Sequence, residues 1–495
     1  MKKLLLLLLF LPLIGFGQVP DLDWAIKCDS QSLSTEFEVN QIIYDDNGYL
    51  YQVGYYTGTV DFDPSPSTFN LTSQSNYNNG FVAKYTTSGT FVWARSINCD
   101  FLSSAQSIDI DSNSDVIIIG YFKGNIDLDP NSGTANYSNS YDRDLFVVKL
   151  DSSSNHLWSF TALSTSPQGS VYGSKIKIDN SDNIIITGAF RGATDFDRSS
   201  NQYFIYPDFT SDQFIAKYSP QGSLLWATNI GISADATGVG VQDYNLDIDD
   251  NNNIFTTGTF TFNTTSLPSG PNYTAISNLQ FPEKDNVLTK YDSLGNFLWA
   301  QHIISNAACG LKIDYTNNII TTFTQLAVWP NITECIIQKL DNNGSLIWNK
   351  TWGNNSLDGS YSVDVDQNNN IYTLVNFGGD YIIDVDPGPN LYNITSTGTS
   401  ADFLIQSLDS LGSFNWAGYT NSLDPVYGQS LIAGNDGAIY TSGKFYGSVD
   451  FDLTDSVSVL SSNIFGGFIQ KLCGCSENVT DFPGCTNSLA CNYDS

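Results

Sequence analysis

Six stretches of this chain repeat one hairpin, and a hairpin copied that often leaves few folds open. FVAKYTTSGTFVWA (81–94), FVVKLDSSSNHLWS (146–159), FIAKYSPQGSLLWA (214–227), VLTKYDSLGNFLWA (287–300), IIQKLDNNGSLIWN (336–349) and LIQSLDSLGSFNWA (404–417) each place two apolar runs around a polar turn. Trp follows the Lys position by nine residues in every copy: Lys84 and Trp93, Lys149 and Trp158, Lys217 and Trp226, Lys290 and Trp299, Lys339 and Trp348 and, with Ser replacing Lys, Ser407 and Trp416. A second hairpin precedes each of these. Its first strand ends near an Asp, and the next strand starts five residues on: Asp45 and Leu50, Asp111 and Val116, Asp179 and Ile184, Asp249 and Ile254, Asp314 and Ile319, Asp366 and Ile371, with Gly434 and Ile439 as a seventh copy.

Units of four short antiparallel strands in this number predict an all-β fold, a seven-bladed β-propeller with four-stranded blades. The strand count also predicts how the ring closes. There are seven copies of the first hairpin and six complete copies of the second; the seventh begins as GFIQKLC (467–473) and lacks its Trp strand. LDWAIKC (22–28), with Trp24, supplies that strand from the N-terminus and covers an edge that would otherwise pair with other chains. The expected organisation is a signal peptide (1–17), the propeller (18–472) and a short Cys-rich tail (473–495), for which two readings stay open: an incomplete chain, or export that ends with the signal peptide.

The export reading rests on Lys2 and Lys3, an apolar run from Leu4 to Ile14 too short to span a bilayer, and the small-x-small signature Gly15-Phe16-Gly17. It predicts a secreted or cell-surface monomer with no membrane insertion. Acidic residues outnumber basic ones by 51 to 20, giving a formal net charge of -31, which argues against nucleic acid as a partner. Of eight cysteines, Cys473, Cys475, Cys485 and Cys491 crowd the end of the chain, and four cysteines allow three pairings.

Segments such as DQFIAKYSPQGSLLWATNIG (212–231) and DNSDNIIITGAFRGATDFD (179–197) resemble the bacterial β-propeller repeat called SBBP. The resemblance covers nearly all of 22–472 and implies the fold and an exported protein, but no particular activity. The tail GCTNSLACNYDS (484–495) resembles a motif of secreted Bacteroidetes proteins, one often found ahead of a type IX secretion sorting domain.

Asp-x-Asp recurs after the second strand, as Asp61 with Asp63, Asp127 with Asp129, Asp195 with Asp197, Asp384 with Asp386 and Asp450 with Asp452. Residues two apart in an extended segment share a side, so each pair presents two carboxylates together while the residue between them packs the other way. Such pairs suit calcium, which takes six to eight oxygen ligands, and all ten aspartates are candidate metal ligands on this ground. The simpler use of such pairs is as side-chain caps on a tight turn ahead of Pro64, Pro130 and Pro387. Five pairs predict an acidic rim on one face with a gap at blades four and five, where Trp329, Trp352, Tyr273 and Phe281 form a candidate aromatic surface for a glycan or a protein ligand, the alternative being buried packing in a shortened blade.

Catalysis has less to build on. His156 and His302 both fall at peripheral positions, and no phosphate loop, zinc helix or nucleophile elbow is present. The sequence therefore favours an exported binding or adhesion module, non-catalytic and calcium-stabilised. The alternative is a glycoside hydrolase or lyase using carboxylates in the propeller channel.

Overall fold

The computed structural model describes residues 17–473 apart from 32–35, 75, 140–141, 200, 209–210, 234–243, 261–284, 304, 306–309, 327–332, 354–356, 379–381, 397–400 and 455. Among the described residues every regular element is a β-strand. Among the described residues the strands form seven antiparallel blades around a central channel, each running from an inner to an outer strand, and a separate two-stranded ribbon in blade six, Ile382–Asp384 with Asn393–Thr395. Blade one comprises Phe37–Asp45, Tyr49–Tyr56, Asn79–Thr86 and Phe91–Cys99.

The ring closes as the strand count requires. Asp21–Ser30 pairs antiparallel with Val459–Cys473 as the outer strand of blade seven, after Val426–Ala433 and Ala438–Asp450. Trp24 lies opposite Lys471, the register Trp93 takes opposite Lys84. The last strand runs through Cys473, which is buried and disulfide-bonded, so this cysteine belongs to the blade. Cys475, Cys485 and Cys491 lie outside the described residues.

The Lys and Trp of each outer hairpin are bolts between blades. Trp24, Trp158, Trp226, Trp299 and Trp348 each lie over a glycine in the next blade's outer turn: Gly89, Gly222, Gly295, Gly344 and Gly412. These glycines have φ between 75° and 84°, and a Cβ at Gly295 would come within 2.9 Å of the Trp226 indole. Backbone handedness and indole contact thus both demand glycine there. Trp24 Nε1 donates to Thr87 O at 3.1 Å, and Trp93, Trp158 and Trp348 make the same bond to their next blades. The lysines do more than lie along apolar surface. Lys217 pairs with Asp179 and Lys339 with Asp314, each at 2.8 Å and nearly fully buried, and both ammonium groups also donate to a carbonyl of the following blade.

Those aspartates also build the inner turn. Asp179 Oδ1 accepts from Ser181 N and Asn183 N, a two-pronged cap repeated by Asp45, Asp111, Asp249, Asp314 and Asp366. Neighbouring turns are then linked around this face. The carboxylate of Asp182 and the amide oxygens of Asn252, Asn317 and Asn369, all at φ near 60°, each accept a backbone N–H from the preceding blade. Asn47 to Ser114, Gln367 to Asn435 and Asn435 to Asp46 complete the circuit of seven interfaces.

One element goes beyond the four-stranded blade that the repeats predict. Between the second and third strands of blades one, two and three a small two-stranded ribbon forms, and it pairs with the outer strand of the preceding blade, extending that sheet to six strands. The ribbon of blade one joins Thr59–Asp61 and Asn70–Thr72, and its Asp61 lies opposite Asp29 in the closing strand.

Candidate functional site

On the linker face, the face on which the chain passes from blade to blade, ribbons carry the first Asp pairs, those of blades one, two and three, out to the preceding blade's outer strand, the blade-six pair begins on its own ribbon, and the last pair begins at the end of Ala438–Asp450. The five pairs share one use. Asp61 Oδ1 accepts from Asp63 N and, across the loop, from Phe69 N at 2.7 Å. Asp127, Asp195, Asp384 and Asp450 repeat this, each accepting the N–H two residues on and a second N–H eight residues on. The second aspartate of each pair caps the next turn. Asp63 Oδ1 accepts from Ser65 N, Asp129 Oδ1 from Asn131 N at 3.0 Å, Asp197 Oδ1 from Ser199 N at 2.8 Å and Asp386 Oδ1 from Gly388 N at 2.7 Å. Asp452 Oδ1 accepts from both the backbone N–H and the hydroxyl of Thr454. The intervening Phe62, Leu128, Phe196, Val385 and Phe451 are buried plugs. Tyr85 and Tyr218 donate to the carbonyls of Phe62 and Phe196, and Gln406 and Gln470 to those of Val385 and Phe451.

This geometry gives the ten aspartates the turn-capping use that their spacing offers beside calcium. Among the described residues no three acidic, His or Cys side chains are grouped to hold a metal ion. Asp61, Asp127, Asp195, Asp384 and Asp450 are each committed to two amides, and Asp63, Asp129, Asp197, Asp386 and Asp452 each turn an oxygen inward to their own loop. In all ten the Oδ1 oxygen serves as a turn cap.

Trp352 takes the buried position of the two that the sequence offers it. It ends the outer strand Leu346–Trp352, opposite Cys335, and is 4% exposed within the cluster of Val363, Val375 and Ile383. The shortened blade uses it as core, so it offers no ring to a ligand. Trp329, Tyr273 and Phe281 lie outside the described residues.

The aromatic surface that the structure does show lies elsewhere on the linker face, where the inner strands begin and the second strands end. Tyr446 and Phe465 of blade seven sit with ring centroids 5.7 Å apart, and Lys444 lies over Phe465 and Tyr427. Lys444 reaches into blade one to pair with Glu38 at 2.5 Å, and Glu38 faces Tyr55 across the first strand pair. Burial, reinforced by Glu38, Glu36 and Tyr121, raises the Tyr55 hydroxyl above its ordinary pKa. In blade two Tyr121 meets Tyr172 of blade three edge-on at 5.5 Å, and the Arg143 guanidinium lies 5.5 and 5.8 Å from the two rings. Arg143 donates to Tyr172 Oη at 3.2 Å, while its buried Nε has no partner among the described residues. These side chains form a continuous arc across blades seven, one, two and three. Tyr446 and Phe465 are exposed, Tyr55, Tyr121 and Tyr427 half-buried, and Tyr172 buried. A tyrosine immediately after the repeat glycine, in Gly54-Tyr55 and Gly120-Tyr121, is the sequence signal for the arc; the third blade has Ala189 there.

Behind the arc runs the channel, a void of about 200 Å³ bounded by all seven inner strands. Two positions before the inner turn the blades place Asp109, Lys177, Asp247, Lys312 and Asp364 in alternating sign on blades two to six, with Ile43 and Ile432 on blades one and seven. Lys312 pairs with Asp364 at 2.7 Å, and Lys177 lies 3.5 Å from Asp247. Each carboxylate also accepts a backbone N–H of the next blade's inner strand: Ile178 to Asp109, Ile313 to Asp247 and Ala433 to Asp364, at 2.7 to 2.9 Å. These bonds satisfy amides on strands that have no sheet neighbour on that side. The channel acids therefore hold blade to blade.

Two further aspartates stand out at the start of third strands. Burial lifts Asp144 to about 7 against the opposing bond from Ser164 N, and lifts Asp402 to about 6 against bonds from Ser422 N, Ser396 and Thr420.

No protein-family profile matches the chain. The uncharacterized WD repeat-containing protein L264 of Acanthamoeba polyphaga mimivirus is 27% identical over 237 residues, covering 43% of this chain and only 16% of that protein. Among solved structures, the Dos1 propeller shares 9% identity at a TM-score of 0.42, covering 90% of this chain and 94% of its own. The polysaccharide lyase Uly1 shares 8% identity at a TM-score of 0.41, covering 93% and 99%. A protein of unknown function from Bacteroides caccae shares 9% identity at 0.35, covering 68% and 89%. None of these likenesses assigns an activity.

Proposed function

We propose that the chain is an exported, non-catalytic binding module whose ligand, a glycan, lies against the tyrosine arc of the linker face. The observation that carries this reading is the arc itself: aromatic rings from four consecutive blades held beside Arg143, Lys444 and Glu38. Aromatic faces stack on sugar rings, and the charged groups between them supply directional bonds to hydroxyls. Export is proposed from the N-terminal signature alone. The channel acids support binding over hydrolysis, because Asp109, Asp247 and Asp364 are tied to backbone amides. A glycan array on the purified protein tests the reading, with Tyr55→Ala and Tyr121→Ala as the loss-of-binding variants. Signals that survive both substitutions would remove the arc from the function.

A further inference from the structure

Lys175 is the channel residue that the blade contacts do not use. It lies two residues before Lys177 on the inner strand of blade three, and both line the channel. Lys177 and Lys312 have carboxylate neighbours, but Lys175 has no hydrogen-bond or ion-pair partner among the described residues. An ammonium withdrawn from bulk water without a counter-charge is costly. It is odd in a chain where 51 acidic residues compete for 20 basic ones. The groups at the same level of the channel are neutral. Gln41 Oε1 is held by Ser107 Oγ at 2.7 Å and Ile108 N at 3.0 Å, which leaves its Nε2 as a donor without a partner among the described residues. Ser430 Oγ accepts from Ile42 N at 3.1 Å and keeps its own proton to give. Gly310, on blade five, adds no side chain to this level. What remains unspent here is a set of donors and one positive charge.

We propose that this level of the channel is a binding site for a small hydroxylated carboxylate, with the carboxylate on Lys175 and the hydroxyls against Gln41 and Ser430. The void of about 200 Å³ is smaller than a pocket for a drug-sized ligand and suits one acidic sugar-sized molecule. Its electrostatics agree. Burial, with Lys177 adding repulsion, pulls the Lys175 amine down to about 8, and a bound anion restores the charged form. Asp109, Asp247 and Asp364 stand one level away and are held by backbone amides, so they do not compete for the amine. The site is distinct from the tyrosine arc and does not depend on it.

The test is acylation of the intact protein with acetic anhydride at pH 8, reading modification of Lys175 by peptide mass spectrometry. Gluconate should slow labelling of Lys175 about fivefold or more, while the neutral analogue glucitol leaves it unchanged. Calorimetric titration with gluconate should show proton uptake near pH 8 in wild type and no binding in Lys175→Gln. That variant removes an unpaired charge and should fold. Labelling unaffected by gluconate, equal protection by glucitol, or undiminished binding to Lys175→Gln would each overturn the site.

Discussion

The outer hairpins and the inner strands of the same seven blades follow opposite rules. In the outer hairpins the chemistry recurs from blade to blade: Trp over a turn glycine and, in several blades, Lys on a buried Asp. On the inner strands one position reads Ile43, Asp109, Lys177, Asp247, Lys312 and Asp364 in successive blades, and the tyrosine arc occupies four blades of seven. Repetition marks what holds the ring together. Departures from it mark where the blades have been individualised, and the candidate sites lie among those departures.

The repeated half breaks most heavily at the lysine. Lys217→Ala leaves Asp179 buried without its partner, and urea unfolding should show a loss of about 3–5 kcal/mol. Asp144 and Asp402 come next and act through pH. Their folded-state pKa values are raised, so the stability they contribute is full below about pH 4 and is lost as pH rises through about 6 and 7. Melting temperature should fall across that window, and Asp144→Asn should flatten the fall by on the order of 2 kcal/mol. Gly295→Ala presses a methyl group onto Trp226 at positive φ and should cost about 1–3 kcal/mol, whereas alanine at Gly437, where φ is 78° and nothing lies within 4 Å, should cost about 1 kcal/mol. Asp61→Ala removes one acceptor from two amides and should cost about 1–2 kcal/mol, and millimolar calcium should leave the wild-type melting temperature unchanged.

The sequence carries the repeated half almost completely because repetition multiplies weak signals. One Lys-to-Trp spacing means little, but six in register determine the hairpin, and the missing seventh places Trp24 in the last blade. The turn aspartates are legible for the same reason. The Asp-x-Asp pairs are legible as a motif but not in their use, because spacing alone does not say whether Asp129 or Asp197 turns its carboxylate outward to a cation or back to its own loop. The ribbons are hidden because their strands span only two or three residues and pair with a different blade. Trp352 reads two ways in the sequence because a tryptophan outside the repeat position has no assigned neighbour there, and the structure packs it in a core cluster. The arc is illegible because its members come from four blades, and Lys444 of blade seven meets Glu38 of blade one only after the ring closes.

The central claim is that the individualised arc binds while the repeated perimeter only supports. Its most direct measurement is titration of a glycan-array ligand into wild type, Tyr121→Ala and the perimeter variant Asp195→Asn. Affinity should fall at least tenfold in Tyr121→Ala, about 1.4 kcal/mol, and stay at the wild-type value in Asp195→Asn. Equal affinity in all three, or loss in Asp195→Asn alone, would contradict it.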